Sequence, residues 1–168
     1  MKSTLILFTL FIFTISIYGQ KFENGTIITK HYDTIANVKI QKVSDAKSLL
    51  HVTYVDIEGN NQKPTIETIK CYTRGDEKFV RIYYDCEMVL VKVIATGSRV
   101  NLYERDYSGS KTYYIEKVYD ELIKVPSSTG KFSKVISTFL ADNEDLSKEI
   151  KSKDLTDIKS IVTLYNKG

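Results

Sequence analysis

Up to Val125 the apolar positions recur mostly at every second residue, and from Phe132 onward they recur at every third and fourth. The most strongly patterned stretch runs from Met88 to Val118. An apolar run opens it, a turn falls at Thr96-Gly97-Ser98, and alternation carries Val100 to Asp106. A second turn falls at Tyr107-Ser108-Gly109 before a Tyr-rich segment resumes. This predicts three consecutive antiparallel strands, the first buried on both faces, with the rest of the chain packed around them.

Upstream, the β-branched residues of Thr26–Tyr32 predict a strand. Asp33-Thr34 predicts a turn, and Ile35–Val43 a second strand. Leu49–Ile57 alternates with Leu50, Val52 and Tyr54 on one face and His51 and Thr53 on the other, predicting a third. Glu58–Pro64 is loop-like. Thr65–Thr73 and Lys78–Tyr84 flank Arg74-Gly75-Asp76-Glu77 as a hairpin. Leu122–Val125 adds a last short strand.

The period changes after Pro126–Gly130. Phe132, Val135, Ile136, Phe139 and Leu140 fall on one helical face, and Ile158, Ile161, Val162 and Tyr165 repeat the spacing. Between them, Asp142 followed by Asp145 predicts an N-cap opening a helix through Leu146 and Ile150. The expected fold is α+β: an antiparallel meander of eight or nine strands, curled or barrel-like, with two or three C-terminal helices packed on it. Residues 20–168 form a single domain, β-rich over 20–125 and helical over 131–168.

Composition adds a destination. Lys2 precedes an apolar run, Leu5–Ile17, and Gly19 offers a cleavage point, which is the layout of a signal peptide over residues 1–19. The run covers only about 20 Å of helix, short of a bilayer core. The expectation is export to the periplasm or outside, with no membrane span after cleavage. The net charge of +3 comes from interspersed charges, so no basic stripe points to nucleic acid. Cys71 and Cys86 are the only cysteines. In an oxidising compartment they either pair as a disulfide or remain two free thiols, since the hairpin puts Cys71 opposite Val80.

Asn24-Gly25-Thr26-Ile27-Ile28-Thr29 with Asp33-Thr34-Ile35 resembles the G-x-I-x-T…D-T-I opening of a large group of exported, uncharacterised bacterial proteins. Val91–Gly97 with Val100-Asn101-Leu102-Tyr103 resembles the central segment of that group. Phe139–Asp142 and Ile161–Asn166 resemble its helical tail, which closes on Tyr-Asn. Tyr32 and Asn143 stand where the group has Gly and Cys. The resemblance implies export and the extent of the domain, and it brings no activity with it.

Catalytic chemistry has little foothold. His31 and His51 sit apart within predicted strands, no G-x-S-x-G elbow is present, and neither cysteine carries a Cys-His signature. No spacing suggests zinc, and Asp142–Asp145 lacks the Gly and terminal Glu of a calcium loop. No cofactor or metal is expected and no catalytic residue is assigned. A small secreted hydrolase using carboxylates such as Asp56, Glu58, Asp85 and Glu87 is the alternative. The twelve tyrosines offer contact surface instead, with Tyr83, Tyr84, Tyr103, Tyr107, Tyr113 and Tyr114 on successive strands as binding candidates. The leading expectation is a non-enzymatic cell-envelope domain acting by binding or structural contact, with an envelope protein or a glycan as partner.

Overall fold

Ten antiparallel strands form one open sheet in the computed structural model, which describes residues 21–168. The signal-peptide reading lies outside the described residues. The strands are β1 (Phe22–Thr29), β2 (Thr34–Gln41), β3 (Tyr54–Val55), β4 (Asn61–Gln62) and β5 (Ile69–Arg74). They continue as β6 (Glu77–Tyr84), β7 (Glu87–Ala95), β8 (Val100–Tyr107), β9 (Ser110–Lys117) and β10 (Leu122–Lys124). The helices are α1 (Asp45–Ser48), α2 (Thr129–Phe139), α3 (Glu144–Ser152) and α4 (Ile158–Lys167). Spatial order runs β10-β9-β8-β7-β6-β5-β1-β2-β3-β4. Two meanders are thus joined side by side through β1 and β5.

The predicted meander over Met88–Val118 is β7, β8 and β9, and Val89, Leu90 and Val91 are consecutively buried, as a strand covered on both faces requires. The sheet does not stay flat. Tyr84 on β6 and Tyr114 on β9 lie three strand spacings apart, about 14 Å on a flat sheet. Their rings nevertheless meet edge-on with centroids 5.1 Å apart. The register slip between Val93 and Ala95 supplies the bend. It folds Ile82, Val89 and Val91 onto Tyr103 and Tyr114 as one apolar cluster.

The opposite face carries two more clusters. On Val100, Leu102 and Ile115 lie Phe132, Ile136, Leu140, Ile150, Ile161 and Val162 from the three C-terminal helices. Residues of the predicted helical spacing are therefore the buried ones except Val135, which is 36% exposed, and none of these short helices would persist without that burial. Ile27, Val38, Ile40, Ile69, Tyr72, Phe79 and Leu90 form the other cluster, closed by Leu49, Val52 and Tyr54.

That closure corrects the strand expected over Leu49–Ile57. Only Tyr54–Val55 is extended into a ladder, and α1 precedes it. Leu49 and Val52 are buried while Leu50 and His51 are exposed, a spacing of three that turns the chain. Long-range bonds hold it there. The Tyr72 hydroxyl donates to the Ser48 carbonyl at 2.8 Å, and Arg74 Nη1 donates to Ser48 Oγ at 2.9 Å.

The helix start expected at Asp142 is shifted by one residue. Asn143 is the N-cap of α3, accepting from the Leu146 amide at 3.2 Å. Asp142 instead joins a partly exposed cluster of side chains from α4, β9 and the β7–β8 turn. It accepts from the Tyr165 hydroxyl, from Lys117 at 2.9 Å and from Arg99 at 2.8 Å. The bond from Tyr165, with help from Lys117, holds its carboxyl at about 2. A carboxyl depressed from 3.8 stabilises the fold above that value and loses its contribution as pH falls toward 2. Asp142→Asn should therefore lower the melting temperature at pH 7, with the gap to the parent closing between pH 4 and pH 2. An unchanged gap across that range in thermal melts would contradict this.

Asn166 completes the tie. Its Oδ1 accepts from the Val100 amide at 3.0 Å and the Arg99 amide at 3.2 Å, and its Nδ2 donates to the Val100 carbonyl at 3.0 Å. A Cβ at Gly97 would overlap the Asn166 amide, so only glycine lets the helix end approach the β7–β8 turn. Gly25 plays a similar part in the ladder, where a Cβ would overlap the Thr73 carbonyl and Ile40. Tyr32 holds a left-handed φ of 70° in the β1–β2 turn, with its ring beneath the Lys70 ammonium at 3.6 Å.

Candidate functional site

The pairing of β7 with β8 ends at Lys92 and Glu104. Beyond that pair β7 stays on β6 down to Glu87, and β8 stays on β9 out to Tyr107. The two hairpins therefore part, and a cleft of about 290 Å³ opens between them. Val89 and Leu90 form one wall and Arg105 to Ser108 the other, with Leu49, Leu50 and Ile66 closing the side.

The vertex of the cleft is an ionic seam. Lys92 Nζ lies 2.6 Å from Glu77 Oε1 and 3.0 Å from Asp45 Oδ2, which ties α1 across the sheet toward β8. Arg74, only 1% exposed, donates to the other oxygen of Glu77 at 2.6 Å. Burial pushes the Glu77 carboxyl up, but hydrogen bonds from Lys92 and Arg74 outweigh it and leave the carboxyl below its ordinary value. Glu104 is buried beside the seam and paired with Lys111 at 2.9 Å. For it too, burial is outweighed by the bond from Lys111, so it stays ionised. The seam ties α1, β5, β6 and β7 into one frame, and the second oxygen of Glu104 beside it is buried without a hydrogen-bond partner.

The cleft itself is different. Leu50 is 52% exposed, Met88 54% and Tyr107 66%, all at its rim, and Tyr83 stands opposite Met88 in the β6–β7 register. Two cations line it. Arg81 donates from Nη2 to the Ile66 carbonyl at 2.6 Å, while its Nε is buried without a partner. Arg105 lies over the Tyr107 ring at 5.9 Å. Among the described residues the arginine ion pairs are Arg74–Glu77 and Arg99–Asp142, so the two cleft arginines have none. Glu67 and Asp106 line the cleft as well, so apolar walls, an aromatic rim and charges of both signs suit recognition of a partly apolar ligand with polar groups.

Of the six tyrosines singled out from the sequence, the structure brings Tyr83 and Tyr107 toward this cleft. Tyr103 and Tyr114 are buried in the folded sheet, and the Tyr103 hydroxyl is bonded to Glu116. Burial and that neighbour push its ionisation up, out of reach of neutral pH. Tyr84 and Tyr113 line a separate, shallow groove with Lys111, Lys124 and Lys131. Tyr103 and Tyr114 are accordingly core residues, a correction to their place among the binding candidates.

The remaining candidates are dispersed. Cys71 pairs with Val80 in register, and Cys86 lies in the β6–β7 turn, so both are free thiols. Six residues of strand separate Val80 from Cys86, about 20 Å. Asp85 and Cys86 both adopt positive φ there, as a two-residue hairpin turn demands. Asp56 accepts from the Glu58 and Asn60 amides and from Gln62, the work of a turn residue. His31 and His51 are exposed. Among the described residues no three His, Cys, Asp or Glu side chains converge to hold a metal, and no helix is long and apolar enough to cross a membrane.

Arg81, Arg105, Leu50 and Met88 were missed in the sequence. The available signal was the charge at alternate positions inside β6 and β8, which marks a sheet face that is wet at one end. Compared with known proteins, the chain matches no family model, no curated protein and no solved structure.

Proposed function

We propose that the protein is an exported, non-enzymatic binding domain of the cell envelope whose ligand sits in the cleft between the parted hairpins. One observation carries this reading: exposed apolar side chains and two unpaired arginines converge where the sheet is left open. An apolar rim beside guanidinium groups without ion-pair partners suits holding a ligand. Membership of the exported group that the sequence resembles belongs to the same proposal. Its short motifs include Gly25, Gly97 and Asn166, which fasten the scaffold. The hydrolase alternative needs two converging acids: Asp56 with Glu58, and Asp85 with Glu87, lie outside the cleft lining, while Glu67 and Asp106 line it.

The test is a photo-reactive residue placed at Met88 in cells producing the full chain, with Ile57, 80% exposed and outside the cleft, as reference. Adducts in the envelope fraction are expected at Met88 alone, on a chain beginning at Gln20. Equal labelling at both positions removes the cleft from the proposal. Hydrolysis of a supplied glycoside or ester that is lost on changing Asp56 or Asp85 would restore the alternative.

A further inference from the structure

A second groove lies at the β10 edge of the sheet. β10 pairs with β9 only from Leu122 to Lys124. Val125 adds one bond, from its amide to the Tyr113 carbonyl at 2.9 Å, and Pro126, having no amide hydrogen, ends the ladder. The chain then departs toward α2 and leaves β9 without a neighbouring strand on that side from Ser110 to Thr112. Between the departing segment and β9 opens a groove of about 740 Å³.

Lys111, Lys124 and Lys131 line it, from β9, β10 and the first turn of α2, and no carboxylate does. All three are exposed, so a ligand reaches them without rearrangement of the fold. Glu104, itself only 3% exposed, holds Lys111 at 2.9 Å. Among the described residues Lys124 and Lys131 form no ion pair. Ser110, Thr112, Ser127 and Ser128 add hydroxyl groups, and Tyr84 and Tyr113 add two rings.

Each part of this lining narrows the ligand. Three cations without an acid among them favour negative charge. The volume is that of a small-molecule site, more than a single oxyanion fills. Hydroxyl groups donate and accept at once, which suits a ligand that is itself rich in hydroxyls. Tyrosine rings offer a flat apolar face with a polar tip, the surface on which the C–H face of a sugar packs. The groove between α2 and α3 makes the comparison. Lys134, Lys151 and Lys153 line it, also without an acid, but it has no ring, and its Ser133 and Ser137 are buried. We propose that the groove beside β9 and β10 is a second binding site, for an acidic saccharide bearing uronate or phosphate groups. Its anionic groups meet Lys124 and Lys131 while a sugar ring lies against Tyr84 and Tyr113. The site shares no lining residue with the cleft between the hairpins and does not depend on it.

An array of uronate-bearing, phosphate-bearing and neutral oligosaccharides, probed with the full chain, tests this. Salt is kept at about 0.15 M, where charges more than about 8 Å apart are screened. Hits are remeasured by calorimetry on two double variants that each remove two positive charges. Lys124→Gln/Lys131→Gln changes this groove, and Lys134→Gln/Lys151→Gln changes the one between α2 and α3. All four lysines are exposed, and circular dichroism confirms that each variant is folded. At least one acidic oligosaccharide is expected to bind, with its neutral counterpart tenfold weaker or more. The first double variant should lose tenfold or more and the second less than twofold, and Tyr84→Leu should lose at least threefold. No acidic hit, equal losses in the two lysine variants, or full affinity in Tyr84→Leu would overturn the proposal. So would tetra-aspartate, a thymidine oligonucleotide or phosphatidylglycerol vesicles binding as tightly with the same dependence on Lys124 and Lys131, because charge alone would then be what is recognised.

Discussion

Replacing Arg74 by Ala is expected to destabilise the protein by about 3–5 kcal/mol, the cost of stranding one half of a buried ion pair. Arg74 is 1% exposed. It donates to Glu77 Oε2 from Nε at 3.0 Å and Nη2 at 2.6 Å, to Ser48 Oγ at 2.9 Å and to the Gln41 carbonyl at 3.3 Å. Its plane also lies 5.3 Å over the Phe79 ring. Most of the loss comes from groups left without partners rather than from the attraction itself. Arg74→Met with Glu77→Leu should therefore recover part of the stability lost by Arg74→Met alone. Urea unfolding decides the matter: a loss below about 1 kcal/mol for Arg74→Ala would mean that the seam is not the clamp described.

Asn166→Ala comes next, with an expected loss of about 2–4 kcal/mol. The side chain bonds both the amide and the carbonyl of Val100, a residue with no exposed surface. Orphaning a buried backbone group costs about 1–3 kcal/mol. Gly97→Ala should act in the same direction by pushing the same amide away. Amide exchange at Val100 should accelerate in Asn166→Ala beyond what the global loss explains. Exchange at Val100 that keeps pace with the rest of the core would show that other contacts hold the turn.

What could be read in the sequence follows from what each segment depends on. The β7–β9 meander and the helix faces built on Phe132, Ile136, Ile161 and Val162 were legible because their patterns are local and their burial is regular. Leu49–Ile57 misled because its alternation is overruled by Tyr72 and Arg74, residues more than twenty positions away that seize Ser48. The place of β1 against β5 was equally hidden, since any antiparallel strand offers the same edge. As for the site, Tyr83 and Tyr107 could be nominated from composition, but Tyr103 and Tyr114 shared that composition and were folded inward by a bend. No periodicity reports where two hairpins part.

The position of β1 bears on how the chain comes together. Thr26 bonds to Thr73, a separation of 47 residues, and the first strand made ends up in the middle of the sheet. The β1–β2 hairpin can close at once, but its inner edge has nothing to meet until β5 appears. The second meander faces no such delay, because its neighbours in space are its neighbours in sequence. Low contact order favours rapid assembly of that half. The early hairpin then docks onto a template already built, and its free edge, exposed until that moment, is where the chain is most open to pairing with the wrong strand.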